Sequence, residues 1–254
     1  MTYKPLIFLF FIAILFCCKE EQQQHLTRIE GTQISISDSL ETDLEIDAFI
    51  KPYRERVNKE LDSVLAYSVD TYSKKDGELN TAIGNLFADV IFEQSNPVFK
   101  QRTGRDIDMV LVNHGGIRSI ISKGNITTRT AYKIMPFENS IVVVELKGSS
   151  INKLITYLLE AKRAHPISKL KVVVDEDFNL TEATINSKPI DTSKTYFVAT
   201  NDYLYSGGDS MTFFQPNDSL YILNYKIRNA LLDYFIKVDT INPIIDDRFI
   251  QIKK

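Results

Sequence analysis

A chain of 254 residues with 44% hydrophobic content can bury the core of one large domain or two small ones, so a folded body and not disorder is the expectation. Thirty Lys and Arg against 33 Asp and Glu leave a formal net charge of −3. That balance offers no basis for wrapping DNA or RNA.

The chain opens with Lys4 and an apolar run from Leu6 to Phe16. This has the length of a signal-peptide core and falls short of the roughly 20 residues needed to span a bilayer. It ends in Leu15-Phe-Cys-Cys18, which resembles a bacterial lipoprotein signal, where cleavage precedes a cysteine that is then acylated. Cys18 is the expected lipidation site, because small Cys17 precedes it whereas bulky Phe16 precedes Cys17. Each buried acyl methylene would contribute about 0.8 kcal/mol to anchoring. No cysteine would then remain for disulfides. The alternative is an ordinary secretory peptide with a chance cysteine pair.

The expected organisation is a signal peptide over 1–18, a polar tether over 19–40 and a folded body over 41–254. The expected location is the bacterial cell envelope, at the periplasmic face or the cell surface, with the membrane contacted through the lipid. The early acidic pair Glu20 and Glu21 points to display on the outer surface.

Within the polar stretch, Gln33 to Ser37 alternates as one short strand would. Ile46, Ile50, Tyr53, Val57, Leu61 and Val64 recur every three or four positions and predict a helix from about Leu44 to Leu65, kinked or cut short by Pro52. Ile83, Leu86, Phe87, Val90 and Ile91 predict a second helix over Thr81–Ile91, where Gly84 costs up to about 1 kcal/mol relative to alanine and so suggests close packing or ligand approach. A strand over Ile107–Val112 is followed by a short turn or helix at Thr128–Lys133 and a β-branched strand at Ile141–Leu146. Gly148 to Ser150 start a helix with an apolar stripe of Ile151, Leu154, Ile155, Leu158 and Leu159. Strands are predicted at Lys171–Val174 and Tyr196–Thr200, with a hairpin arm at Phe178–Asn186 between them. A last helix contains Tyr225, Ile227, Leu231, Leu232 and Tyr234, and Arg248–Ile252 forms a final strand. Such alternation implies a mixed α/β body, a mixed sheet with flanking helices and ligand loops at strand ends.

Asn113-His-Gly-Gly-Ile-Arg118 follows the first of these strands. Gly115 and Gly116 leave room for close approach of a flat ligand, and Arg118 supplies a planar donor fork suited to a carboxylate, a phosphate or an aromatic face. A plain strand-to-helix turn with a surface arginine would read the same way. Asn201 to Asp209, with Gly207 and Gly208, is a second glycine-bearing loop after a strand. Phe137 lies between the two loops in sequence and is open to a second reading as a core aromatic. If its segment is extended, Tyr203 and Tyr205 share a face and either could meet a ligand. His114, a lone loop histidine, reads as a surface group.

Together Asn113–Arg118, Met135-Pro-Phe-Glu-Asn139, Leu146-Lys-Gly-Ser-Ser-Ile151 and Tyr203-Leu-Tyr-Ser-Gly-Gly-Asp209 resemble, in order and spacing, the C-terminal domain of the 5'-nucleotidases, and Ile83-Gly-Asn-Leu86 resembles an earlier helix of that domain. The resemblance covers about residues 45 to 254. It implies that the domain holds the nucleoside part of a nucleotide, the base stacked between Phe137 and Tyr203, the latter standing where the family usually has phenylalanine. It further implies Asn139 at the base edge, Asp209 on the ribose hydroxyls, and Asn113 and Arg118 on the ribose and phosphate side. The family's further arginine before the Gly-Asn-Leu helix is absent. Lys74 or Lys75 stands in its vicinity, as a point charge in place of a fork.

Complete members of the family hydrolyse phosphate esters with two metal ions held by a separate domain rich in His, Asp and Asn. This chain has three histidines, His25, His114 and His165, too few to build such a site. The expectation is a stand-alone substrate-binding half with no catalytic residue, cofactor or metal of its own. Its partners would be a nucleoside or 5'-nucleotide and a separately encoded metallophosphoesterase that carries the divalent metals. The competing expectation is a surface nucleoside binder for capture or sensing.

Overall fold

The computed structural model describes residues 26, 28–37, 39–215 and 217–252. The signal segment, Cys17, Cys18 and His25 lie outside the described residues. The chain divides into two compact units, residues 1–49 and 50–254.

In the first unit residues 28–37 have no regular secondary structure. The strand expected over Gln33–Ser37 does not form, because among the described residues no second strand offers it ladder hydrogen bonds; Ile34 and Ile36 are exposed. Asp43 Oδ1 accepts from the backbone N–H of Glu45 and Ile46 at 3.0 and 3.1 Å and so caps α1, Leu44–Leu61. The helix runs on through Pro52 and ends four residues before Leu65, since Val64 already belongs to a strand.

Among its described residues the second unit contains three sheets. β1 (Val64–Ser68) pairs antiparallel with β3 (Gly124–Thr127) and parallel with β11 (Thr240–Ile241). The central five-stranded sheet is mixed and holds β2 (Met109–Leu111), β4 (Ser140–Lys147), β5 (Ile167–Ser168), β9 (Thr195–Asn201) and β10 (Ser219–Lys226), in the order β10-β4-β9-β2-β5. β4 is buried from Ile141 to Val144, as its β-branched run requires of a strand covered on both faces. The third sheet has the order β12-β6-β7-β8, formed by β6 (Leu170–Val174), β7 (Leu180–Ile185), β8 (Lys188–Pro189) and β12 (Phe249–Gln251). β6 and β7 form the expected hairpin.

Helix α2 (Ala82–Thr103) buries Ile83, Leu86, Phe87, Val90 and Ile91 and runs a further twelve residues past the expected end, to a left-handed Gly104 cap. Thr81 Oγ1 accepts from Gly84 N at 3.1 Å, and a Cβ on Gly84 would lie 2.8 Å from that oxygen, so this glycine serves the cap and close packing. Helix α3 (Thr128–Ile134) leads to the segment before β4. Helix α4 (Gly148–Ala161) follows β4 and buries Ile151, Leu154, Ile155 and Leu158. Between β9 and β10 stand the single α-helical turn α5 (Asp202–Tyr205) and two 3-10 turns, Gly208–Ser210 and Thr212–Phe214, and α6 (Ile227–Lys237) follows β10. Tyr225, expected in that last helix, is in β10, where left-handed Asn224 breaks the register between Ile222 and Lys226.

Candidate functional site

Strand direction brings three segments to one edge of the central sheet. β2 and β9 are parallel, with Val110 opposite Ala199, so the segments that follow them leave on the same side. β4 runs antiparallel to β9 with Ile141 opposite Asn201, so the segment that precedes β4 arrives there too. Asn113–Arg118, Met135–Asn139 and Asn201–Asp209 thus surround a cleft of about 310 Å³. Asn113, Gly115, Gly116, Arg118, Phe137, Asn139, Tyr203 and Asp209 line it, together with Met135 and Asn201. The expected site residues Gly207 and Gly208 are not in its lining; they shape the loop beneath it.

After β2 the chain makes one tight turn, His114–Gly116. A Cβ on Gly116 would lie 3.0 Å from Asn113 Oδ1, and one on Gly115 3.3 Å from Asn113 Nδ2. The room expected for a flat ligand is therefore taken in part by the Asn113 amide, which folds over its own turn. From there Asn113 Nδ2 donates to Asp209 Oδ2 at 2.7 Å.

Asp209 is delivered by an unusual backbone. Asn201 Oδ1 accepts from Leu204 N at 2.8 Å and caps α5. Gly207 (φ 93°) then turns left-handed, followed by Asp209 (φ 51°) and Ser210 (φ 61°), conformations uncommon for residues with a Cβ. The Tyr203 ring lies against Gly208, where a Cβ would be 2.5 Å from ring carbons. Tyr203 OH donates to Asp209 Oδ1 at 2.9 Å, and Tyr157 OH donates to the Asp209 carbonyl at 2.9 Å. The acceptor bond and the charge of Asp209 hold the Tyr203 phenol above its ordinary pKa. Because this segment is a helical turn and not extended, Tyr203 and Tyr205 point apart: Tyr203 faces the cleft, and Tyr205 packs against the core.

Phe137, 41% exposed, presents its ring to the cleft and is not a core aromatic. The Arg118 guanidinium lies 5.8 Å from that ring, while Arg118 N donates to Ile134 O at 2.9 Å. Of the two lysines that stand near the missing arginine, Lys74 reaches the turn after β2 and donates to His114 O at 3.4 Å, outside the cleft lining itself. Burial, then the charges of Arg118, Arg163 and Lys75, hold its ammonium below the ordinary lysine range. Lys75 is exposed.

His114 is half-buried and partnered, contrary to the surface reading. Its backbone N–H donates to His165 Nδ1 at 3.3 Å, and its own Nδ1 meets Ala164 O at 3.1 Å. Burial lowers the pKa of both imidazoles, that of His165 to about 4, with the neighbouring His114 adding to the effect.

Sequence reasoning missed Asn201, Met135 and Tyr157. For Asn201 the signal was available, an Asn one residue before a short helical turn. Among the described residues no group of three or more His, Cys, Asp or Glu is arranged to hold a metal ion, and no helix is long and apolar enough to cross a membrane. A larger hollow of about 730 Å³ beside β6 is lined in part by charges that pair with one another, Lys171 with Asp247 at 2.8 Å and Arg248 with Asp89 and Asp246 at 2.9 and 2.7 Å.

The strand ends of the mixed sheet gather two exposed aromatic rings, a carboxylate and a guanidinium around one small cleft, which thus has a flat apolar part and a polar part. The family described as 5'-nucleotidase, C-terminal domain, matches residues 61–216, more than half of the chain, and the chain belongs to that family. It is 28% identical over 188 residues to the cell wall protein Lmo0130 of Listeria monocytogenes, covering 60% of this chain and 24% of that protein. It is 29% identical over 143 residues to protein UshA of Yersinia enterocolitica, covering 53% of this chain and 26% of that one. The chain thus spans about a quarter of the length of these two relatives. The fold is similar to that of part of the 5'-nucleotidase precursor from Thermus thermophilus, with a TM-score of 0.69 at 21% identity over 84% of this chain and 44% of that one.

Proposed function

We propose that the cleft binds the nucleoside part of a 5'-nucleotide, as the substrate-binding portion of a 5'-nucleotidase-type phosphohydrolase. The base stacks between Phe137 and Tyr203, with Asn139 at its edge. Asp209 accepts from the ribose hydroxyls beside Asn113, and Arg118 with Lys74 faces the phosphate. The observation that carries this reading is the carboxylate of Asp209, fixed between Asn113 and Tyr203 at 2.7 and 2.9 Å and within one cleft with Phe137 and Arg118. A carboxylate held by two donors still has lone pairs for a vicinal diol, and a guanidinium matches a phosphate.

Hydrolysis in this reading is performed by a dimetal phosphoesterase that acts together with this chain, which contributes binding and no catalytic group. The body is held at the cell envelope through acylated Cys18 and the polar tether. Exposed coil over residues 28–37 supports the tether, and the cell wall location in the name of Lmo0130 supports the envelope.

A thermal-shift series with adenosine, adenine, ribose and AMP tests the binding reading, since a ligand that binds only the folded state raises the midpoint according to its affinity. The expected order is AMP above adenosine, with ribose ineffective. A rise with ribose equal to that with adenosine would remove the base from the site.

A further inference from the structure

The segment Met135–Asn139 carries two cleft residues, Phe137 and Asn139, yet it belongs to no helix or strand over Met135–Asn139, and Pro136 has no N–H to tie it down. Its carbonyls are drawn instead to three successive residues at the junction of β10 and α6. Ile227 N donates to Asn139 O at 3.1 Å, and Lys226 Nζ donates to Glu138 O. Arg228 Nη1 donates to both Met135 O and Phe137 O, at 3.4 and 3.3 Å, and Nη2 donates to the Glu138 carboxylate. The Arg228 guanidinium also stacks 4.2 Å from the centre of the Tyr132 ring.

Arg228 is 6% exposed, a buried permanent charge whose hydrogen bonds, among the described residues, all go to this one segment. Its Nε finds no partner there. Burying a guanidinium is costly, and a position that asked only for filling would be served by an apolar side chain. What the guanidinium adds is a planar fork whose Nη1 serves the carbonyls on either side of Pro136 while Nη2 meets the Glu138 carboxylate and the carbon between them sits 4.2 Å from an aromatic ring centre, a set of contacts that a lysine cannot reproduce.

We propose that Arg228 is a positioning residue for the cleft, holding the Phe137 ring at the angle at which it meets the ligand. The inference rests on the nucleoside reading given above. Arg228 itself is not in the cleft lining and acts through Phe137.

The test is a double-mutant cycle read by adenosine titration, on the wild type, Arg228→Gln, Phe137→Ala and the double variant, with amide hydrogen exchange of Phe137, Glu138 and Asn139 measured without ligand. Arg228→Gln is expected to weaken adenosine about tenfold when Phe137 is present and by no more than about twofold when Phe137 is already alanine, the coupling expected of residues that act as a unit. Exchange over the segment should rise in Arg228→Gln. Arg228→Lys should weaken binding similarly, and it replaces the glutamine variant in the cycle should that one not fold. Equal losses in both Phe137 backgrounds, or full affinity with lysine, would overturn the proposal. If the wild type binds no adenosine, the nucleoside reading fails, and the exchange measurement still judges the clamp: unchanged exchange in the Arg228 variants overturns it too.

Discussion

Replacing Asp209 with asparagine keeps the size of the side chain, removes its charge and puts an NH2 group where one oxygen stood. In the structure both oxygens receive donors, Oδ2 from Asn113 at 2.7 Å and Oδ1 from Tyr203 at 2.9 Å, so the new NH2 must face one of them. A ribose diol in the cleft would lose a charged acceptor, and hydrogen bonds to charged groups contribute about 1.5–3 kcal/mol. Asp209 is solvent-exposed, so the lower end of that range applies, about 1.5 kcal/mol or roughly tenfold in Kd. The assay is calorimetric titration of wild type and Asp209→Asn with adenosine and with adenine. Adenosine should weaken about tenfold while adenine changes by less than about twofold. Equal losses for the two ligands would refute the reasoning, because they would show that Asp209 supports the loop and not the sugar.

Phe137→Ala and Tyr203→Ala should each weaken adenosine by about 1 kcal/mol or more, as loss of one stacking face requires, and unchanged affinity in both variants would sink the sandwich. Gly208→Ala places a Cβ 2.5 Å from the Tyr203 ring, so the ring must leave its seat; adenosine affinity should fall at least about fivefold by the same stacking value, and wild-type affinity would contradict the seat. His165 titrates near 4 when folded and near 6.5 when unfolded, so between those values the unfolded chain binds more protons and stability falls as pH drops from 6.5 to 4, by about 3 kcal/mol in all. In urea titrations at pH 7 and pH 5, His165→Gln should show a smaller loss between the two pH values than the wild type does; an identical loss would exclude His165 as its source. Arg248→Met breaks a partly exposed network, in which the Asp89 side chain is 48% and the Asp246 side chain 32% accessible, and should cost about 1–2 kcal/mol, lowering the melting temperature by roughly 5 °C; a drop within about 1 °C would show the network to be neutral.

The three cleft segments were legible in the sequence because each is a short run whose side-chain types are set by chemistry: glycines beside Asn113 and Asp209, an arginine after the first turn, an aromatic after Pro136. The core stripes of α2 and α4 were legible because 3.6-residue periodicity survives burial. β10 was not read, since as an edge strand it alternates weakly and Asn224 interrupts it with a left-handed bulge. The length of α1 was overread because Val64 continues the helical spacing while pairing with Thr127 in a sheet. Arg228 was invisible for a different reason: its partners lie some 90 positions earlier in the chain, and nothing local in Ile227-Arg-Asn229 announces them. The same holds for His114, read from the sequence as a surface group, whose backbone N–H meets the buried His165 ring across 51 positions.

The central claim is that the cleft between Phe137, Tyr203, Asp209 and Arg118 takes a nucleoside and faces its phosphate. Calorimetric titration of the purified protein with adenosine and then with AMP tests it most directly. The expected result is saturable one-site binding of both, with AMP tighter because Arg118 and Lys74 add charge-assisted bonds to the phosphate. Absence of binding by either ligand would contradict the claim, and equal affinity for the two would remove the phosphate from Arg118 and Lys74.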